Sequence, residues 1–175
     1  PLTTGDGGSS IYFEDGSGLV VRYNFVEGPS PGPLYTHATG VEVYGNVFTS
    51  MSGSLYASGS ANVYHNVFHD LSGAMSGGDL TAHNNVFALS APTDEPFGAT
   101  SSLDESHNLF AAGTPTANSF AGDPAFVDPS AGDFHLQPTS DCIDSGTDVG
   151  LTHDMDGVPV PQGSAPDVGA FEYVP

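Results

Sequence analysis

The sequence predicts an all-β protein, a parallel solenoid of short coils followed by a differently built C-terminal third. Three observations carry this reading. First, an asparagine-centred motif recurs five times: VRYNFV from Val21, VYGNVF from Val43, VYHNVF from Val63, AHNNVF from Ala82 and ESHNLF from Glu105. Second, aligning these on Asn24, Asn46, Asn66, Asn85 and Asn108 gives spacings of 22, 20, 19 and 23 residues, a period of about 21. Third, apolar residues recur at fixed offsets from each asparagine, while Gly, Ser and Pro fill the stretches between, as turns require.

Each coil can be read in order. Five residues before the asparagines stand Leu19, Val41, Ala61, Leu80 and Leu103, and three before stand Val21, Val43, Val63, Ala82 and Glu105. That alternation is one strand with every second side chain inward. Two residues after stand Val26, Phe48, Phe68, Phe87 and Phe110, the start of a second strand beyond a corner at the asparagine. A column upstream (Phe13, Leu34, Leu55, Met75, Phe97 and Phe120) supplies a third inward face. Three short strands per coil, stacked about 4.8 Å apart, bury one continuous core that no single coil could bury alone. A leucine-rich repeat has a similar period, but it needs several leucines and a helical segment per unit, and neither is present. Stacked asparagines at one corner can bond from coil to coil and satisfy the turn backbone. Phe48, Phe68, Phe87 and Phe110 are expected to stack beside that ladder.

Composition narrows the function classes. One Lys or Arg against 21 Asp and Glu gives a formal net charge of −20. Such a surface repels nucleic acid and anionic membranes and attracts cations, so divalent ions are expected to stabilise the fold. No apolar run reaches transmembrane length, so direct membrane insertion is not expected, and no stretch of this sequence reads as a signal peptide. The chain opens in mid-pattern and reads as a processed or excised piece of a longer precursor. The lone Cys142 forms no intramolecular disulfide and reads as a small buried hydrophobe.

Five aligned copies of the xVxxNxF coil resemble the right-handed parallel β-helix family with its inward asparagine ladder, over roughly residues 9–120. Residues 121–175 lose the repeat and resemble a second pattern, the C-terminal module of bacterial β-helix surface proteins of the choice-of-anchor Q type. The matching residues include Asp123, Pro124, Phe126, Asp133, Phe134, Leu136, Ile143, Asp144, Gly146, Asp154, Asp156, Gly157, Asp167, Gly169, Ala170, Phe171 and Glu172. Val160 stands where that pattern has Arg. The two resemblances divide the chain into coils (1–120) and a continuous capping module (121–175). They imply an exported bacterial protein, extracellular or at the cell surface. The segments AFV, FHL and AFEY are expected as short strands covering the open end of the solenoid.

The chemistry-bearing residues have two readings. Tyr44, Tyr64, His65, His83 and His107, with Arg22 over Tyr44, form an outward Tyr/His stripe. It is either ordinary cross-coil stacking or a face for an extracellular glycan, and His65, His69, Asp70 and His83 could alternatively ligate a metal. Polysaccharide lyases on this fold need cationic groups, and this chain has only Arg22; glycoside hydrolases need clustered carboxylates. The coil carboxylates Glu14, Asp15, Glu27, Glu42, Asp70, Asp79, Asp94, Glu95, Asp104 and Glu105 form no column. In HDMDG, Asp154 and Asp156 either cap turns or bind Ca2+; no cofactor is otherwise required. The favoured function is a non-catalytic structural or adhesive module, with a glycan-binding or glycan-degrading β-helix as the alternative. An uncovered first coil near Ile11 and Phe13 is expected to favour an end-to-end homo-oligomer and filaments.

Overall fold

A computed structural model describes residues 10–29, 32–91 and 96–175. Asp94, Glu95 and the first nine residues of the predicted coil region lie outside the described residues. The chain is all-β, a parallel β-solenoid of about 5 turns. The first coil holds β1 (Ile11–Phe13), β2 (Val20–Arg22) and β3 (Phe25–Glu27). The second holds β4 (Leu34–Thr36), β5 (Val41–Tyr44) and β6 (Val47–Met51), and the third β7 (Leu55–Ala57), β8 (Ala61–Tyr64) and β9 (Val67–Leu71). Then come β10 (Met75–His83) with β11 (Val86–Ala88), and β12 (Phe97–Ser106) with β13 (Leu109–Phe110). β14 (Phe120–Ala121) closes the solenoid, and β15 (Phe126–Asp128) and β16 (Asp133–Leu136) form an antiparallel hairpin around a short 3-10 turn.

Three faces result, as the spacing predicts. One stacks β1, β4 and β7, a second stacks β2, β5 and β8, and a third stacks β3, β6, β9, β11, β13 and β14. The first two faces merge at β10, whose Met75 pairs with Leu55 while its Leu80 pairs with Ala61. The stretch before the ladder asparagine shortens toward this coil, so the corner between two strands disappears and one strand runs through.

Register places the predicted inward columns with two corrections. Val21, Val43, Val63, Ala82 and Glu105 align, as do Val26, Phe48, Phe68, Phe87 and Phe110. The upstream column, however, begins at Ile11, which pairs with Leu34; Phe13 pairs with Thr36 and is 39% exposed. The first coil is longer before its asparagine than a constant spacing allows. Phe120 pairs with Leu109 on the third face instead of extending the upstream column, because residues 111–119 turn back without completing a coil. Phe48, Phe68 and Phe87 stack at centroid distances of 5.4 Å, and Phe110 meets Phe87 edge-on at 5.4 Å. Such offset pairs add to the burial of large apolar area.

The asparagine ladder is continuous. Asn24, Asn46, Asn66 and Asn85 each donate from Nδ2 to the Oδ1 of the next asparagine at 2.9–3.0 Å. The same Nδ2 groups of Asn46, Asn66, Asn85 and Asn108 also reach the carbonyls of Val21, Val43, Val63 and Ala82. Immediately before each asparagine the backbone turns through the left-handed region, at Tyr23, Gly45, His65, Asn84 and His107, with φ between 53 and 63°. Non-glycine residues adopt that conformation at a cost, and the buried ladder holds them there. At the last rung Ser119 Oγ takes the place of an asparagine, accepting from the Asn108 N–H at 3.1 Å and donating to buried Glu105.

Residues 121–175 do not cover the end of the solenoid. They lie along its flank, against the outward side of the third face. Val47, Val67, Val86 and Leu109 pack there with Phe126, Phe134, Leu136, Cys142, Val168, Ala170 and Phe171 in a second apolar layer. Of the three expected strand segments, AFV and FHL supply the hairpin; in AFEY, Ala170, Phe171 and Glu172 are buried and Tyr173 partly so, but the segment is not a strand. Cys142 is fully buried, and burial pushes its thiol up to about 12.

Candidate functional site

The outward aromatic stripe of the second face is real but shorter than its sequence suggests. Tyr44 and Tyr64 stack at 4.9 Å with an interplanar angle of 9°. Tyr23 meets Tyr44 edge-on at 5.5 Å. Arg22 Nη1 donates to the Tyr44 hydroxyl at 3.1 Å, but its guanidinium lies over the ring of Tyr23, not Tyr44. Burial, and then the neighbouring Glu42 carboxylate, push the Tyr64 hydroxyl well above its usual range. His83 continues the row, with Nδ1 2.9 Å from Ser106 Oγ.

His65 and His107 leave this stripe. His107 is exposed at the far end, with its N–H on Asn118 O. His65 is 2% exposed, so it is not an outward ligand group. The left-handed turn aims its ring at the C-terminal third. Burial there lowers its pKa to about 4, although the Gly169 and Asp167 backbone favours the charged ring. Its Nε2 is 2.9 Å from Asn84 Nδ2, which fits a neutral ring accepting from the amide. Asn84 in turn clamps Thr147, accepting its N–H at 2.9 Å and donating to its carbonyl at 2.7 Å, while Gly169 N–H reaches Asn84 O at 2.8 Å. Gly146 permits this close approach: a Cβ there would lie 2.7 Å from Pro166 O and 3.1 Å from Asn84 Oδ1. A sequence cannot announce this junction, because its two halves lie some 60 residues apart (63 for Asn84 and Thr147).

The residues considered for a metal each have another partner. His65 pairs with Asn84, His69 with Thr49, Asp70 with Ser90 and His83 with Ser106. Asp154 is buried, and both its oxygens are engaged: Oδ1 accepts from Asp156 and Val158 N–H at 2.9 and 2.8 Å, and Oδ2 from Glu172 N–H at 2.9 Å. Asp156 instead holds His135 Nε2 at 2.8 Å, with Asp133 on the other ring nitrogen. Burial opposes the charge on His135, but these two carboxylates outweigh it and raise its pKa. Buried Asp167 and Glu172 complete the knot, accepting N–H groups of Asp144, Tyr173, Asp167 and Gln162 at 2.6–2.9 Å. Burial raises both carboxyl pKa values. Among the described residues no group of three or more His, Cys, Asp or Glu is arranged to hold a metal.

The sequence reading missed a second aromatic stack on the first face. Tyr12, Tyr35 and Tyr56 follow one another at 5.7 and 4.9 Å, with interplanar angles of 3 and 20°. His37 joins them, with Nε2 3.2 Å from the Tyr35 hydroxyl and Nδ1 2.8 Å from Ser58 Oγ. The signal was present: once Ile11 is aligned with Leu34, the three tyrosines fall in one column. No helix among the described residues is long and apolar enough to cross a membrane. No known protein family matches the chain, and no curated protein matches it.

Proposed function

We propose that the chain is a non-catalytic structural or adhesive β-solenoid module of an exported bacterial protein. One observation carries the structural part of this reading. The outward aromatic and polar groups are spent on one another from coil to coil: Tyr12, Tyr35 and Tyr56, Tyr44 and Tyr64, Asn62 with Glu42, His83 with Ser106, Ser102 with Asp79. Rings stacked along the axis present edges to solvent, whereas sugar recognition needs free ring faces. The buried carboxylates of the C-terminal third are likewise committed to backbone N–H groups. Such a surface favours rigidity over convergence on a reacting group. The exported, bacterial part rests on the resemblance of residues 123–172 to the choice-of-anchor Q type module.

A second reading, a glycan-binding face, is favoured by Tyr12 alone, which is 61% exposed. Both readings meet one experiment, a glycan array probed with the purified chain, paired with assays for reducing ends and unsaturated uronates on the same polysaccharides. The structural reading expects no turnover and no saturable binding that depends on the tyrosine stacks. Saturable binding abolished by Tyr12→Ala would favour the glycan reading, and turnover lost on replacing a single carboxylate would overturn the non-catalytic one.

A further inference from the structure

We infer that the N-terminal edge of the solenoid is a docking edge for one further β-coil of the asparagine-ladder type, and is not shaped for the opposite end of a second copy. The ladder is polar. In every rung the coil nearer the N-terminus donates, from both its backbone N–H and its Nδ2, to the Oδ1 of the coil below. Asn24 donates downward in this way, and its own Oδ1 accepts from no described residue. That oxygen matches the paired N–H donors of one more ladder asparagine. At the opposite end the ladder is terminated within the chain, although among the described residues β12 pairs with β10 alone: Asn108 spends its N–H and Nδ2 on Ser119 Oγ at 3.1 and 3.2 Å, with Glu105 behind the hydroxyl.

The other elements of the first coil are open in the same sense. Tyr12 leads a tyrosine stack with one ring face uncovered, while the stack ends below at Ser76, which pairs with Tyr56. Phe13 is 39% exposed on this coil, and Ile11 and Leu19 are only partly buried. Among the described residues β1, β2 and β3 each have a strand partner on one side only. An occupant that continues the coil-to-coil contacts seen within the chain would carry Asn at the ladder corner, a flat ring outward on the first face and aliphatic residues inward. A second copy offers Ser119 and Glu105 to Asn24, a hydroxyl already donated and a carboxylate. It also brings another −20 charge to the contact.

The test extends the full chain by its own chemistry, inserting a copy of residues 34–54 between Ser10 and Ile11. The inserted coil should raise Tm by at least about 4 °C, equivalent to roughly 1–2 kcal/mol for a chain of this size. Asn46→Ala in the inserted copy should remove half of the gain or more, and the unmodified chain should sediment as a monomer at every concentration. A second variant carries a copy of residues 55–74 at the same point instead, which guards against one junction failing to fold. No gain with either coil, failure of both to fold, an equal gain without the asparagine, or head-to-tail assembly of the unmodified chain would each overturn the inference.

Discussion

Asn46 donates from Nδ2 to Asn66 Oδ1 at 2.9 Å, and the same oxygen accepts the Asn46 backbone N–H at 3.0 Å. One side-chain oxygen thus satisfies two buried donors of the neighbouring coil. Asn66 also donates to Val43 O and Asn85 Oδ1. Removing the amide takes a partner from the Asn46 N–H and Nδ2 and from the Val43 and Tyr64 carbonyls, on two neighbouring coils at once, and each buried group left unpaired costs about 1–3 kcal/mol. Asn66→Ala should therefore cost at least about 3 kcal/mol. Asn24→Ala should cost less than half of that, because no described residue donates to Asn24 Oδ1, whereas Asn66 Oδ1 serves two donors of Asn46. Urea unfolding of the two variants measures the ratio.

The phenylalanine column makes a separate claim about packing. Phe68 has a stacked ring on each side at 5.4 Å and no exposed surface. Phe68→Ala should cost about 3–5 kcal/mol, the range of large core truncations. Tyr64→Ala, removing a ring of the outer stack, should cost only about 0.5–2 kcal/mol. Equal costs would mean that the two columns do not differ in burial as described.

Stability should depend on pH through His65. Its folded pKa, about 4, lies below the unfolded value of 6.5. Between those values the unfolded chain binds a proton that the folded chain refuses. The stability contributed by the neutral ring is therefore fully present above pH 6.5 and is lost as pH falls toward 4, by up to about 3 kcal/mol. Asp167 and Glu172 act oppositely, since their raised pKa values favour the folded state as they take up protons. His65→Asn, which suits the left-handed turn, should flatten the His65 contribution. Denaturation midpoints of both proteins across pH 4–7 check the difference in slope.

Asp154 separates a fold-holding role from a calcium role. Both its oxygens are taken by the N–H groups of Asp156, Val158 and Glu172. Asp154→Ala should cost about 3 kcal/mol, by the same amount in calcium and in chelator. A penalty that vanishes in chelator would assign Asp154 to a bound ion.

The repeat, the three faces and the ladder were legible because each coil repeats the same inward offsets. The errors fall where coil length varies: Phe13 displaced Ile11 in the first coil, hiding the column Tyr12, Tyr35 and Tyr56. The C-terminal third was legible as a module but not as a flank. Val67 and Leu109 point outward from their strands, and only the fold brings Phe134 and Val168 over that face. His65 became a buried group for the same reason.

The bonds of Asn84 to Thr147 and Gly169 tie the flanking module to the ladder, so the two should open as one cooperative unit, which amide hydrogen exchange tests most directly. The N–H groups of Asn46, Asn66 and Asn85, bonded only to side-chain oxygens, should exchange as slowly as those of Val47, Val67 and Val86. The N–H of Gly169, bonded to Asn84 O, should open with them in one global event. Fast exchange at the asparagines beside protected strands, or free exchange at Gly169 while the coils stay closed, would contradict the account.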